Sequence, residues 1–294
     1  MRLTRRSLLI PAIAAVGMLG LAGCTDSGAP APEESATVDE TIEFEAGTTM
    51  ARLNEAGAIT IGTKFDQPLF GLAGPTGDPV GFDVEIGKLI AAKLGIPADK
   101  IEWKETVSKN REPFIQSGDV DIVIATYTIN DTRKQVVSFA GPYYEAGQDI
   151  LVLDGNPEGI EGPEDLEGKN VCSVTGSTSE ANLLEYGAVV LPAAGYTDCL
   201  EPLRSGAVVA VSTDNVILAG LADQNEGEFE VVNNPFTQEP YGIGLALEDD
   251  TFRAWINDTL TEAYDDGDWA DAWEATAGKV LDLPDPPAVD NYTR

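Results

Sequence analysis

Short β-branched runs alternate with helical patterns through most of this chain, and few folds accommodate that order. Residues 58–63, 121–126, 150–153, 170–174 and 208–212 read as strands, and 84–94, 178–187 and 252–265 as helices. The alternation predicts an α/β fold with largely parallel sheets, because parallel neighbours need crossovers that helices supply. About 235 residues take part, enough for one large domain or two small ones. No internal repeat is visible.

One stretch within this pattern carries a chemical suggestion. Asp119 to Gly147 reads DVDIVIATYTINDTRKQVVSFAGPYYEAG. Ile122 to Ala125 is a short apolar run, as expected of a strand buried on both faces. It ends in hydroxyl residues, and a helix start follows with Arg133 in its first turn. Helix N-termini carry unpaired N–H groups and positive dipole charge. Arg133 could add a planar fork aimed at the same small carboxylate. The plainer alternative is an arginine on a solvated helix face, paired with Asp131 or with nothing.

The N-terminus reads MRLTRRSLLIPAIAAVGMLGLAGC. Arg2, Arg5 and Arg6 precede a short apolar core from Leu8 to Leu19, so residues 1–23 are expected to be an export signal and not a membrane span. Leu21-Ala22-Gly23-Cys24 looks like the lipobox of bacterial lipoproteins, which makes Cys24 the expected lipidation site. Thr4-Arg5-Arg6-Ser7-Leu8-Leu9 also resembles a twin-arginine export motif, which an ordinary basic segment explains equally well. Thr25 to about Gly47, rich in Ala, Pro, Glu, Ser and Thr, reads as a disordered tether. At the other end, Leu283-Pro284-Asp285-Pro286-Pro287 stops the last helix and starts a loose tail, 284–294.

Composition removes several classes of function. The formal net charge is −32, and cleavage before Cys24 removes three arginines and no acid, leaving −35. Such a chain repels nucleic acid and anionic lipid, so attachment to a membrane must rest on the lipid. There is no histidine, which excludes Ser-His and Cys-His catalysis and the commonest zinc ligand. Besides Cys24 only Cys172 and Cys199 remain. In an exported chain they suggest a disulfide, with two reduced buried thiols as the alternative. Gly81 to Leu89 lacks the spacing and hydroxyl of a phosphate loop, and Asp265-Asp266-Gly267-Asp268 lacks the later glutamate of a calcium loop. No nucleophile elbow is present, and no cofactor or metal is expected.

Gly81-Phe82-Asp83-Val84-Glu85-Ile86-Gly87-Lys88-Leu89-Ile90-Ala91 closely resembles the signature of the family 3 extracellular solute-binding proteins, the polar amino-acid receptors of ABC importers. The Asp119–Gly147 stretch follows in the family's order with Gly141-Pro142-Tyr143-Tyr144. Gly176-Ser177-Thr178-Ser179-Glu180, Ser212-Thr213-Asp214 and Tyr241-Gly242-Ile243-Gly244-Leu245 complete it. The resemblance runs from about Ile59 to Gly278. It implies a periplasmic-binding-protein type II fold of two α/β lobes joined by a two-strand hinge. The first lobe would comprise 48–147 and 243–283, the second 148–242. The implied protein is a monomer that binds a free amino acid and hands it to an ABC permease.

By the same resemblance Arg133 would hold the ligand α-carboxylate and Thr128 would donate to the same ligand. Thr126 would contribute mainly backbone groups, Thr178 with Ser177 beside it would grip the carboxylate from the second lobe, and Asp214 would receive the α-ammonium. The residues also allow structural readings: Ser177 with Glu180 makes a capping box, and Asp214 stands where an N-cap would. Lys64 and Arg111 match positions that carry arginines in glutamate/aspartate-binding relatives, whereas glutamine binders generally lack the second. That points to glutamate before aspartate, since a buried second carboxylate needs a cation. Exposed surface charges are the alternative for both. Phe65, Tyr127 and Tyr144 are candidate walls for the ligand's aliphatic stem. Other readings are a glutamine or other polar amino-acid binder, a prephenate or arogenate dehydratase-like enzyme, and a ligand sensor.

Overall fold

The computed structural model describes residues 42–291. The expected signal segment, Cys24 and most of the expected tether lie outside the described residues. Two five-stranded sheets organise the rest, one in each lobe. In the first, Ile59–Thr63 runs parallel to Ile101–Glu105 on one side and Ile122–Val123 on the other. Glu239–Leu245 then lies antiparallel between Ile122–Val123 and the edge strand Ser138–Ala146. The second sheet repeats the plan. Val189–Ala193, Asn170–Val174 and Ala210–Asp214 are parallel, and Gln148–Leu153 and Phe229–Val231 complete it antiparallel.

The sheets are therefore half antiparallel, a correction to the expectation of largely parallel ones. The cause is the path of the chain. It leaves the first sheet through Ser138–Ala146 and Gly147 and returns to it through Glu239–Leu245. A strand that returns from the neighbouring lobe runs against the strands it joins. Strand and helix periodicity carry no information about that route.

Local chemistry explains the elements that frame the cleft. Helix Phe82–Lys93 starts at Gly81, whose φ of +135° and close approach to the Phe70 backbone admit no side chain. Asp83 and Glu85 occupy its first turn, and Phe82, Ile86, Leu89 and Ile90 bury its inner face. Ile122, Val123, Ile124 and Ala125 are all fully buried, as expected of a strand covered on both faces. The helix bearing Arg133 spans only Asp131–Lys134. Asn130 caps it by accepting from the Arg133 N–H at 2.9 Å. With so few residues it contributes no useful macrodipole, so the helix-dipole part of the anion argument does not hold.

The packed body extends further at both ends than the composition indicates. Phe44 meets Trp255 edge-on at 5.9 Å, inside the stretch read as tether. The tail expected to be loose is tied down: the Asp290 N–H donates to the Gly141 carbonyl at 2.8 Å, and Asn257 donates to Asn291. Trp269 and Trp273, from Asp268–Ala275, fill the first lobe's core beside Phe82 and Tyr144. In the second lobe Cys172 and Cys199 form a disulfide closing a separation of 27 residues. In the chain-entropy account a loop of that length stabilises by about 3.5 kcal/mol. Among the described residues no helix is long and apolar enough to cross a membrane.

Candidate functional site

The strand ends of both sheets face each other across a narrow cleft. From the first lobe come three buried cations. Arg111 begins helix Arg111–Ser117 and is 2% exposed. Its Nε donates to the Ser108 carbonyl at 3.1 Å, and its Nη1 donates to the Ala125 and Thr126 carbonyls, both at 3.2 Å. Lys64, also 2% exposed, donates to Ser108 Oγ at 2.8 Å. Neither has a carboxylate within ion-pair distance among the described residues. The surface-charge alternative for both is thus overturned. Burial, and then the neighbouring Arg111, pull the Lys64 ammonium down to about 7.

Arg133 is buried as well, and not on a solvated helix face. Its Nη1 donates to the Thr128 carbonyl at 2.8 Å, and Glu112 faces its Nε at 3.3 Å. Burial and the charge of Arg111 lower its guanidinium to about 10. Tyr127 lies beneath both arginines, with its ring centroid 4.2 Å from Arg111 Cζ and 5.0 Å from Arg133 Cζ. Its ring therefore supports the two guanidinium groups, a cation–π platform in place of the expected ligand wall. Tyr144 is likewise in the core, stacked on Trp273 at 5.0 Å. Phe65 is half-buried and outside the cleft lining.

Thr126 has φ of +44°, rare for a β-branched residue. Asp83 holds it there by accepting its N–H at 2.8 Å, while Tyr143 OH donates to the other oxygen of Asp83 at 2.6 Å. The turn aims the Thr126 hydroxyl at Gln67 Oε1, 2.9 Å away. Thr128 lines the cleft beside it and bridges to Tyr241.

The second lobe supplies the opposite wall. Ser177 caps helix Thr178–Glu185, accepting from the Glu180 N–H at 3.0 Å, while Glu180 accepts from the Gly176 N–H. Its hydroxyl is thus engaged as the helix cap, while the reciprocal bond of the expected capping box goes to Gly176 and not to Ser177, so the box is only half formed. The Gly176 carbonyl accepts from Arg133 at 3.2 Å and more loosely from Arg111 at 3.5 Å, so the cations of one lobe reach the backbone of the other. The Thr178 hydroxyl donates to Glu239.

Asp214 precedes helix Asn215–Gln224 but makes no capping bond to it. One oxygen accepts from Tyr241 OH at 2.6 Å, and the other, Oδ1, is buried without a donor. Burial, and then the nearby charge of Glu239, push its carboxyl up to about 7. The capping explanation for Asp214 therefore fails, and a buried acceptor faces the cleft.

Residues of the site that gave no signal in the sequence include Gln67, Ser108 and Tyr196, which line the cleft, and Glu239 behind Thr178. They come from short loops and strand ends without periodicity. The two lobes also touch directly. The Tyr196 N–H donates to Asp66 Oδ2 at 2.7 Å. An added Cβ at Gly195 would collide with the same oxygen, and one at Gly220 would lie 2.7 Å from the Pro68 carbonyl. Among the described residues no group of acids and cysteines could hold a metal ion.

The arrangement can bind a small zwitterion: Arg111 lines the cleft from one lobe, with Arg133 and Lys64 buried outside its lining, and Asp214 faces it from the other with one oxygen lacking a donor. Comparison with known proteins agrees. The model of the bacterial extracellular solute-binding proteins, family 3, matches residues 59–275. The glutamate-binding protein GluB of Corynebacterium efficiens is 39% identical over 237 residues, covering 76% of this chain and 80% of the relative. The glutamine-binding protein GlnH of an ABC transporter of Bacillus subtilis is 37% identical over 265 residues, covering 89% and 92%. An ancestral arginine-binding protein solved with glutamine bound superposes with a TM-score of 0.70 at 37% identity, covering 75% of this chain and 97% of that one.

Proposed function

The chain belongs to the bacterial extracellular solute-binding proteins, family 3, and we propose that it captures glutamate, with aspartate second, for an ABC importer. The observation that carries the choice of ligand is the pattern of unpaired buried charge. Among the described residues Lys64 and Arg111 have no carboxylate within ion-pair distance, and Asp214 has an oxygen with no donor. Buried charges are stable only when paired. A ligand with two carboxylates and one ammonium group supplies the missing partners. Arg133 and Thr128 would take the α-carboxylate, Asp214 the α-ammonium, and Lys64 and Arg111 the side-chain carboxylate. Such relatives are receptors and not enzymes, and the dehydratase-like reading is set aside.

Glutamine binding is the second reading, favoured by the name of the Bacillus subtilis relative and by the glutamine in the ancestral protein. Calorimetry of the purified protein against a panel of amino acids separates the two. Glutamate is expected to bind with micromolar Kd, roughly −8 kcal/mol, with aspartate and glutamine each at least about tenfold weaker, a gap of 1.4 kcal/mol. Glutamine binding as tightly as glutamate would refute the acidic pocket.

Delivery to a permease follows from lobe closure: the ligand stabilises the conformation in which both lobes contribute contacts, and that conformation is what a permease can distinguish. We place the mature protein on the outer face of the cell membrane, as a monomer held by lipid on Cys24. The reading rests on Leu21-Ala22-Gly23-Cys24. Metabolic labelling with a palmitate analogue is expected to mark the protein, and Cys24→Ser to abolish the label. A Cys24→Ser protein that is still labelled and membrane-bound contradicts the anchor.

A further inference from the structure

Glu239 is an acid at the back of the ligand cleft, bonded to Thr178, and no motif marks it. It begins the strand Glu239–Leu245, which carries the chain back between the lobes, and it is 3% exposed. No lysine or arginine lies within ion-pair distance of it among the described residues. Its two oxygens are satisfied by hydroxyls alone: Thr178 donates to one at 2.8 Å, and Thr237 donates to the other at 2.9 Å. Thr237 in turn accepts from the Gln148 N–H at 2.9 Å. Glu239 therefore joins both crossing strands to the first residue of the helix that faces the ligand.

Two consequences follow from these bonds. A carboxylate cannot donate, so the Thr178 hydroxyl spends its single proton on Glu239. Thr178 then offers an incoming carboxylate its backbone N–H and presents to the cleft only the lone pairs of its hydroxyl. Second, Glu239 and Tyr241 are two residues apart on one strand and so point to the same face. Tyr241 donates to Asp214. This puts the Glu239 charge on the Asp214 side of the cleft, where it is the largest charged contribution to the raised proton affinity of Asp214.

Resting on the amino-acid receptor reading above, we propose that Glu239 is a positioning residue. It makes the ammonium end of the cleft doubly acidic and turns the Thr178 hydroxyl into an acceptor, so that the receptor selects ligands bearing a free amine. Among the described residues neither acid has a cation within ion-pair distance, and neither Lys64 nor Arg111 has an acid within it, although Arg111 and Arg133 act on Asp214 and Glu239 acts on Arg133 over longer range. A dicarboxylate without an amine meets the same cations but leaves two buried acids without a counter-charge.

The sign of the pH dependence follows from Asp214. It must be ionised to receive an ammonium group, and its carboxyl stands at about 7 in the free protein. Besides Glu239, the groups acting on it are Tyr241 on the same strand and Arg111 and Arg133 from the first lobe. Tyr144 and Tyr196 feel its charge in turn. A bound ammonium lowers its proton affinity, so amine-ligand affinity falls as pH drops below about 7. Removing the Glu239 charge removes one cause of the elevation and moves this fall to lower pH.

The test is calorimetry of the full-length protein and its Glu239→Gln and Glu239→Asp variants with glutamate and with glutarate, from pH 5 to 9. Wild-type protein is expected to prefer glutamate. In Glu239→Gln the preference at pH 8 should shrink about tenfold and the acid limb should move down in pH. Glu239→Asp keeps the charge and should retain the wild-type limb. An unchanged limb and unchanged preference in Glu239→Gln overturn the proposal while leaving the receptor reading intact. A wild-type protein that binds no amino acid overturns both. Thr178→Val carries the test should Glu239→Gln fail to fold: it removes the hydroxyl that Glu239 holds as an acceptor, so a smaller preference for glutamate over glutarate supports the proposal and an unchanged one overturns it.

Discussion

Replacing Arg133 with alanine is expected to abolish measurable amino-acid binding while leaving a cooperatively folded apo protein. Arg133 is the cation whose fork is already oriented before any ligand arrives. The Thr128 carbonyl holds one terminal nitrogen, the Gly176 carbonyl the other, and Glu112 faces Nε. The Tyr127 ring supports the guanidinium plane from below. A planar donor group held in this way loses little further freedom on meeting a carboxylate. Its removal leaves a buried ligand carboxylate facing only the neutral donors of Thr128 and Thr178, and breaking one side of a buried charged pair costs about 3–5 kcal/mol. A micromolar interaction would then fall to the millimolar range or beyond. The apo protein loses less. Glu112 is partly exposed and can return to water, and the two carbonyls lose neutral partners at roughly 1 kcal/mol each. Two kcal/mol in a domain of this size corresponds to a drop in Tm of about 4–8 °C. Arg133→Lys keeps a charge without the fork and should recover binding only in part. Calorimetry paired with a thermal melt checks this: near-normal binding by a folded Arg133→Ala protein would remove Arg133 from the site.

Much of this site was legible in the sequence because local rules govern its parts. Ile122 to Ala125 had to be a strand covered on both faces, and all four residues are buried. Ser177 caps its helix as its spacing to Glu180 implies, though the Glu180 carboxylate reaches the Gly176 N–H and not that of Ser177. What was not legible depends on contacts between distant segments. Asp214 reads locally as an N-cap, yet Tyr241 takes it out of that role from another strand. Tyr127 reads as a ligand wall, yet two arginines from different segments stack on it. The antiparallel strands come from the route between the lobes. The lobe contacts at Gly195 and Gly220 pair residues far apart in the chain, Asp66 with Tyr196 and Pro68 with Gly220. Phe44 and Asp290 lie in segments of polar composition, and single contacts dock them.

Arg111→Ala is expected to weaken glutamate far more than glutamine, and the comparison isolates one charge. The substitution also strips partners from the Ser108, Ala125 and Thr126 carbonyls and uncovers one face of Tyr127. Those losses enter both binding reactions equally and cancel in the ratio. What remains is the interaction of a guanidinium with a carboxylate in one case and with a neutral amide in the other. For a desolvated pair that difference is on the order of 2–4 kcal/mol. The glutamate-to-glutamine preference should therefore fall by about 30-fold or more. A second readout comes from Lys64. Burial and then Arg111 hold its ammonium down at about 7, and a bound side-chain carboxylate raises it again. The Lys64 contribution to glutamate affinity should thus be fully present below about pH 7 and decline as the pH rises through that value, opposite in sign to the acid limb set by Asp214. Glutamine affinity should show no such limb. With Arg111 gone its repulsion is removed, and the glutamate limb should move to higher pH. Equal losses for both ligands, with the alkaline limb unmoved, would show that Arg111 supports the cleft without reading the side chain.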